Sequence, residues 1–337
     1  MSREKLPKII YREYGISVVR LQPFHSLWKL TGPQGTFLLK EMPCPTERII
    51  WLQQQLQLLH DAGFTGLVPF MPTLNGSPLF SQGKKHYVII PWQPGSHPSF
   101  TNLKHLQRTA RLWGELHHTA AGIATQDTVP GDDYPFANLQ AQTAFLTATL
   151  HRLQSRSPGN RIDRTLWRWG NYFLAQAQTS LAQLERLGFD QWCRTTAAKG
   201  FCHNDPAPAN IIMHNNNWYL IDFEHSASGI FLLELALLVR RVLRVNRWDP
   251  QLVEPLLTAY ATDNCVSGEE ARQFLPTLLG FPRPFWRLCR QRFHEKRNWS
   301  EKHYQSRLWE ITNEEPLRAQ FLQQWSGARP AGKLPEK

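Results

Sequence analysis

Residues 203 to 224 constrain the fold of this chain more than any other stretch. They read His203-Asn-Asp205-Pro-Ala-Pro-Ala-Asn210, then Ile211-Ile-Met213, a polar His-Asn-Asn-Asn, Trp218-Tyr-Leu-Ile221, and Asp222-Phe-Glu224. Two short apolar runs separated by an Asn-rich turn pair as antiparallel strands. Asn210 then stands just before the first strand and Asp222 just after the second. Facing residues at the open end of an antiparallel pair sit about 5 Å apart, so an amide oxygen and a carboxylate converge on one small space. That donor set suits a hard cation, because magnesium takes oxygen ligands, keeps several waters and needs few protein groups beside substrate phosphates. Asp205, in the same loop, flanks the cation without having to bind it.

At 337 residues the chain exceeds one average domain of about 150 residues, which predicts two lobes. Five cysteines, Cys44, Cys193, Cys202, Cys265 and Cys289, are odd in number and show neither a CxxC spacing nor a Cys/His cluster. They read as reduced thiols of an intracellular, cytoplasmic protein. The start, Met-Ser-Arg-Glu-Lys-Leu-Pro-Lys, is charged and is not followed by an apolar stretch of signal-peptide length. The longest apolar run, Phe231 to Val239, is interrupted by Glu234 and is too short to span a bilayer, so a soluble protein without a membrane partner is expected. The net charge of +11 gathers at 240 to 247 and at 283 to 297. Such runs are solvated helix faces or the footprint of a polyanion; without a zinc-finger or RNA-binding signature, nucleic acid is not the expected partner.

From Ser17 to Met42 the pattern is strand-like, with Leu27 to Leu30, a Gly32-Pro-Gln-Gly35 turn and Thr36-Phe-Leu-Leu-Lys40, which predicts a three-strand meander. Thr46 reads as an N-cap with Glu47 just inside, and Ile49, Ile50, Leu52, Leu56 and Leu59 keep helical spacing until Gly63. A further strand pair is expected around Phe70 and at His86 to Pro91, after which Trp92 to Pro98 breaks the pattern. From Thr101 onward the spacing is helical, with segments at 138 to 153 and 161 to 187. After the hairpin more are expected near 231 to 245, 250 to 262, 268 to 279 and 284 to 323. The tail, 326 to 337, is rich in Pro, Gly and Lys and reads as disordered. The whole predicts an α+β fold, with a small antiparallel-sheet lobe over 1 to 92 and a large, mainly helical lobe over 93 to 325 that includes the hairpin and its flanking loops.

Lys40 sits on the predicted third strand among Phe37, Leu38 and Leu39, and alternation aims it inward. A lysine inside a cleft needs anionic company, which nucleotide phosphates and a carboxylate from the next helix supply in the protein-kinase layout. Glu47 is the only acid on that helix before Asp61 and is therefore the candidate partner. A first-turn glutamate favoured by the helix dipole is the alternative. His203 reads as a loop-bracing residue with satisfied hydrogen bonds.

His203-x-Asp205-x-x-x-x-Asn210 has the catalytic-loop spacing of kinases, and Ile221-Asp222-Phe223-Glu224 takes the place of their metal-binding Asp-Phe-Gly. With the strand-three lysine, the set resembles the aminoglycoside phosphotransferase and choline kinase superfamily, a protein-kinase-like group whose loop usually runs His-Gly-Asp-x-x-x-x-Asn. Gly35-Thr-Phe-Leu-Leu-Lys40, Trp113-Gly-Glu-Leu-His117, Leu235-Ala236 and Phe281-Pro-Arg-Pro-Phe-Trp286 are similar to the CotS-type spore coat kinase-like family. The resemblance implies a two-lobed kinase-like fold and transfer of phosphate from ATP, with Mg2+, to the hydroxyl of a small molecule. In that scheme Asp205 orients or deprotonates the acceptor, Asn210 and Asp222 hold magnesium, and Lys40, backed by Glu47, grips the ATP phosphates. Pro91 offers its carbonyl and Gln93 its N–H to adenine, Ser26 covers phosphate, and His203 and Glu224 give structural support. It also implies spore-coat association, with coat proteins as partners.

One departure stands out. The first hairpin, Arg20-Leu-Gln-Pro-Phe-His-Ser26-Leu-Trp28, has no glycine where phosphate-covering loops carry them, which leaves Ser26 or His25 to substitute. A catalytically weak or inactive kinase-fold scaffold of the spore coat is the alternative reading. The acceptor pocket is expected from residues 240 to 323 and 124 to 160, whose spacing names no sugar, amine or peptide. The basic charge balance favours an acidic or neutral acceptor.

Overall fold

The alternation between Ser17 and Met42 forms as an antiparallel meander in the computed structural model, which describes residues 5–123, 135–155, 161–262, 265–326 and 335. Strands β1 (Arg20–Phe24), β2 (Leu27–Gly32) and β3 (Gly35–Met42) are followed by helix α2 (Thr46–Asp61) and by β4 (Phe80–Gln82) and β5 (Lys85–Pro91), and the sheet order is β1-β2-β3-β5-β4. A helix without a counterpart among the sequence expectations, α1 (Leu6–Tyr14), precedes them. Its Leu6, Ile10 and Tyr14 share one buried cluster with Leu30, Phe37, Leu39, Tyr87 and Ile89. A nine-residue helix is marginal by itself. Burying Leu6 and Ile10 against the sheet at about 1.5–3 kcal/mol each offsets that deficit. Because successive side chains alternate between faces, this cover on the Phe37/Leu39 face leaves Leu38 and Lys40, paired with Ile90 and Val88, on the other.

Three local expectations are corrected here. Thr46 is the first helical residue of α2 and Pro45 is its cap, with the Pro45 carbonyl accepting from Arg48 and Ile49 N–H. Phe70 lies outside any strand; its segment joins β5 by one bond, Met71 N–H to the Ile89 carbonyl at 2.8 Å, and the strand lies at Phe80. The single helix expected over 284 to 323 is two, separated at residues 294 to 300.

The hairpin of residues 211 to 220 forms as read, with β7 (Ile211–His214) and β8 (Asn217–Leu220) paired in the register Ile211↔Leu220. Leu220 N–H bonds the Gly66 carbonyl at 2.8 Å, and Ser96 and Met213 exchange backbone bonds of 3.1 and 2.8 Å. These bonds make the hairpin part of the sheet-bearing unit, which comprises chiefly Met1–Ser99 and His203–Ser226. The hairpin thus belongs with the sheet and not, as a single boundary at residue 92 implies, with the helices.

The second unit comprises chiefly Phe100–Ala121, Thr125–Cys202 and Ala227–Lys337. Its elements are α3 (Leu103–Ala121), α4 (Pro135–Ser155), α5 (Arg161–Arg186), α6 (Phe189–Cys193), β6 (Lys199–Cys202), β9 (Ala227–Ile230), α7 (Phe231–Val245), α8 (Val253–Ala261), α9 (Gly268–Gly280), α10 (Arg283–Phe293) and α11 (Glu301–Ser326). The four-residue strands β6 and β9 pair antiparallel. Helices α3 and α8 approach so closely at Gly114 that a Cβ there would sit 2.2 Å from the Tyr260 carbonyl oxygen. Beside this crossing lies a buried polar knot. Glu234 of α7, 1 % exposed, accepts from Trp113 Nε1 and His117 Nε2 at 2.9 Å each, and His117 Nδ1 meets the Tyr260 hydroxyl at 2.7 Å. A second knot centres on buried Arg318, which donates to Glu315 and to the Leu279 and Gly280 carbonyls at the end of α9. Each buried polar atom with a partner avoids a desolvation cost of about 1–3 kcal/mol. Among the described residues, no helix is long and apolar enough to cross a membrane. None of the five cysteines forms a disulfide. The expected disordered tail lies mostly on residues 327–334 and 336–337, and part of the expected acceptor segment on 124–134 and 156–160, all outside the described residues.

Candidate active site

Every residue singled out as a site candidate belongs to the sheet-bearing unit. The loop from His203 to Asn210 is held by its own polar atoms. His203 is fully buried; its Nε2 meets the Ile221 carbonyl at 2.8 Å, and Asp205 N–H points at its Nδ1 at 3.3 Å. The ring therefore carries its proton on Nε2 and ties the start of the loop to the residue before Asp222. Asn204 adopts φ +63°, where glycine is usual and asparagine is the commonest substitute. Its amide donates to the His225 carbonyl at 3.2 Å. Asn210 donates through Nδ2 to the Asp205 carbonyl at 3.0 Å and to Asp205 Oδ2 at 2.8 Å. Both bonds use the amide nitrogen and leave the amide oxygen outside them. The Asn210 carbonyl accepts from Ile221 N–H at 3.0 Å, which sets Asn210 beside the strand that ends in Asp222.

Asp222 has φ +67° and ψ +58°, a left-handed conformation that costs a residue with a Cβ about 1 kcal/mol or more. It turns the chain sharply into the single 3-10 turn Phe223–His225. Phe223 is buried against His203, with ring centroids 4.8 Å apart. Both flanking carboxylates then reach Lys40: its ammonium bonds Asp222 Oδ1 and lies 2.9 Å from Glu224 Oε1. The Lys40 side chain is 12 % exposed, against 44 % for Asp222 and 29 % for Glu224. Lys40 thus projects inward, as alternation along β3 predicts, but its carboxylate partners are Asp222 and Glu224. Val68, Phe70, Ile90 and Ile221 line a small pocket that Lys40, Asp222 and Glu224 share.

The proposed partner of Lys40 is elsewhere. Glu47 is exposed in the first turn of α2, and among the described residues it makes no ion pair. Its position matches the dipole-favoured alternative. The α2 side chain that does reach the segment is Arg48, which sequence reasoning passed over. Its guanidinium donates to the Ser226 carbonyl and lies 4.4 Å above the Trp51 ring. Burial lowers its affinity for the proton, while Cys44 beside it is pushed up by burial first, with Arg48 opposing. The signal was present: Arg48 shares a helical face with buried Trp51, Leu52 and Gln55.

The nucleotide-covering candidates are more scattered. His25, at φ +52°, and Ser26 form the two-residue turn between Phe24 and Leu27, and the Ser26 side chain is exposed. Pro91 ends β5 opposite Phe37. Trp92 N–H bonds the Thr36 carbonyl at 3.0 Å, and Gln93 follows half-buried. The Trp92 ring takes Phe24 edge-on at 5.1 Å and carries Lys29 Nζ at 3.7 Å from its centroid. Three residues after Trp92, Gly95 at φ +144° runs so near the hairpin that a Cβ would lie 2.2 Å from the Met213 carbonyl oxygen.

A family model described as the phosphotransferase enzyme family matches residues 24–275. No curated protein sequence matches the chain. Among solved structures, an aminoglycoside phosphotransferase from Alicyclobacillus acidocaldarius superposes with a TM-score of 0.80 at 21% identity, covering 95% of each chain. A spectinomycin phosphotransferase bound to ADP and spectinomycin gives 0.63 at 12% identity over 97% of this chain and 99% of its own. An amicoumacin kinase with AMP-PNP and Ca2+ gives 0.59 at 14% identity over 99% and 96%. These likenesses identify the fold as kinase-like, with an antiparallel-sheet part and a mainly helical part.

Proposed function

We propose, from the premise that this chain belongs to the phosphotransferase enzyme family, that it transfers the terminal phosphoryl group of ATP to a hydroxyl of a small molecule with the help of magnesium. The observation that carries this reading is the convergence of Lys40 on Asp222 and Glu224 beside a loop in which Asn210 holds Asp205. Kinases of known structure that share this fold supply the analogy for ATP, since two of them are bound to ADP and AMP-PNP.

Phosphoryl transfer asks a protein for positioning and charge neutralisation more than for covalent chemistry. Here the acceptor oxygen attacks the γ-phosphorus, the bond from that phosphorus to the ADP oxygen breaks, and the hydroxyl proton passes to the Asp205 carboxylate and on to solvent. The products are ADP and a phosphomonoester. Asn210 fixes the Asp205 carboxylate in one rotamer, so the base is aimed before the acceptor arrives. The donor set fits magnesium. Asp222 is exposed enough to meet a hydrated cation, and the Asn210 amide oxygen, opposite the nitrogen that bonds Asp205, is a second hard ligand. Bound there, the ion would neutralise phosphate charge. Lys40 grips phosphate oxygens, and the Pro91 carbonyl and Gln93 N–H receive adenine.

Asp205→Ala tests the proposal. Asn210 keeps the Asp205 backbone carbonyl as a partner, so the loop survives while the base is lost. A fall in kcat of about 10²–10⁴-fold is expected for a general base, with ATP–Mg2+ binding retained. Wild-type protein that neither binds ATP with Mg2+ nor consumes it in the presence of a panel of metabolite alcohols would refute the proposal.

One observation favours a second reading, a kinase-fold scaffold of a spore coat with weak or no catalysis, as the CotS-type likeness suggests. The glycine-free tip is packed, with Phe24 against Trp92 next to Gln93. A scaffold gains no stability from nucleotide, whereas a binder at 100 times its Kd gains about 2.7 kcal/mol. The thermal shift separates the two.

A further inference from the structure

Lys40 carries a charge with little access to water, and an ammonium so placed needs a fixed carboxylate. Its two partners are not equivalent. Asp222 is the exposed one and the proposed ligand of the cation; once a cation–nucleotide complex takes it, Lys40 keeps Glu224 at 2.9 Å. Helix α2 offers no replacement. Between Thr46 and Asp61 its acids are Glu47, exposed in the first turn, and Asp61 at the far end, which accepts from Gln57 at 2.8 Å. What α2 sends to this segment is a cation: Arg48, bonded to the backbone carbonyl of Ser226, two residues past Glu224. Glu224 itself is held in register by its neighbour Phe223, buried against His203.

We infer that Glu224 is the positioning residue that orients Lys40 toward the nucleotide phosphates, in place of a carboxylate from α2, and that α2 is coupled to the site through Arg48 and the backbone of residues 222 to 226. The inference rests on the phosphotransferase reading. Its physical content is that the lysine and its anchor are braced from one short turn, so Lys40 keeps its aim when the metal ligand next to it changes partner. Glu224 is therefore assigned to the lysine and not to the metal.

The test measures AMP-PNP affinity by calorimetry and the Mg2+ concentration that half-saturates turnover, in wild type, Glu224→Gln, Glu224→Asp, Glu47→Gln, Lys40→Met and the Lys40→Met/Glu224→Gln double variant, with circular dichroism confirming that each is folded. Glu224→Gln is expected to weaken AMP-PNP binding about tenfold, the order of one charge-assisted hydrogen bond. The Mg2+ requirement should stay where it was, and Glu224→Asp should recover part of the loss. In the Lys40→Met background the glutamine change should add nothing. A tenfold shift in the Mg2+ requirement that persists without Lys40 would make Glu224 a metal ligand and overturn the inference. So would a loss in Glu47→Gln that Glu224→Gln does not share. Wild-type protein that fails to bind AMP-PNP defeats the parent reading itself, a result distinct from either.

Discussion

Replacing Glu234 by leucine should cost the helical unit about 4 kcal/mol. The carboxylate is buried and accepts from Trp113 Nε1 and His117 Nε2, each at 2.9 Å. Leucine fills the space and accepts nothing, so Trp113 Nε1 and His117 Nε2 each lose this acceptor at about 1–3 kcal/mol. That sum agrees with the roughly 3–5 kcal/mol lost when one partner of a buried polar pair is removed. The surroundings restrict escape, because His117 is stacked on Phe231 with centroids 4.4 Å apart and its other nitrogen is engaged by Tyr260. Urea denaturation followed by tryptophan fluorescence reads the change as a lower midpoint, with the slope checked for constancy. Adding Trp113→Phe removes one of these donors, so the double variant should lose clearly less than the two single losses added together. A leucine variant within 1 kcal/mol of wild type, or strict additivity in the double variant, would refute the claim that this knot stabilises the unit.

Two further perturbations follow from local geometry. Burial opposes the charge of Glu270, but bonds from Trp192 Nε1 and from the Ser267 N–H and hydroxyl outweigh it and hold the carboxyl below its ordinary value. A lowered folded value means a contribution present above the unfolded carboxyl's range and lost as pH falls through the folded one. Glu270→Gln should therefore destabilise by about 1 kcal/mol near neutrality, the usual worth of an N-terminal cap, with a gap from wild type that closes in acid; a gap constant from pH 3 to 8 refutes this. Gly95→Ala places a Cβ against the Met213 carbonyl at positive φ and should cost about 1–3 kcal/mol. An unchanged melting temperature would show that the approach to the hairpin is looser than described.

Several features were legible because they depend on neighbours in sequence. The apolar runs at Ile211 and Trp218 sit on either side of a turn that only a hairpin satisfies, and β7 and β8 paired in that register. Alternation through Phe37, Leu38 and Leu39 fixed the side of β3 from which Lys40 projects. The departures lie where local signal is weak. Helix α1 is short, and strands β4, β6 and β9 are three or four residues long, too brief for periodicity to register. The break at residues 294 to 300 carries neither proline nor glycine, so nothing local announced it.

The sequence by itself determined which groups this protein has to work with: Lys40 on an inward face, and Asp205, Asn210 and Asp222 spaced around a hairpin. Tertiary structure decided which of them meet. Nothing in the order of residues told Glu224 from Glu47 as the partner of Lys40, because a strand-three lysine is within reach of both the following helix and a turn more than 180 residues away along the chain. That choice was made by the left-handed bend at Asp222 and the burial of Phe223. Pairing between distant segments is set by packing, to which local spacing is blind.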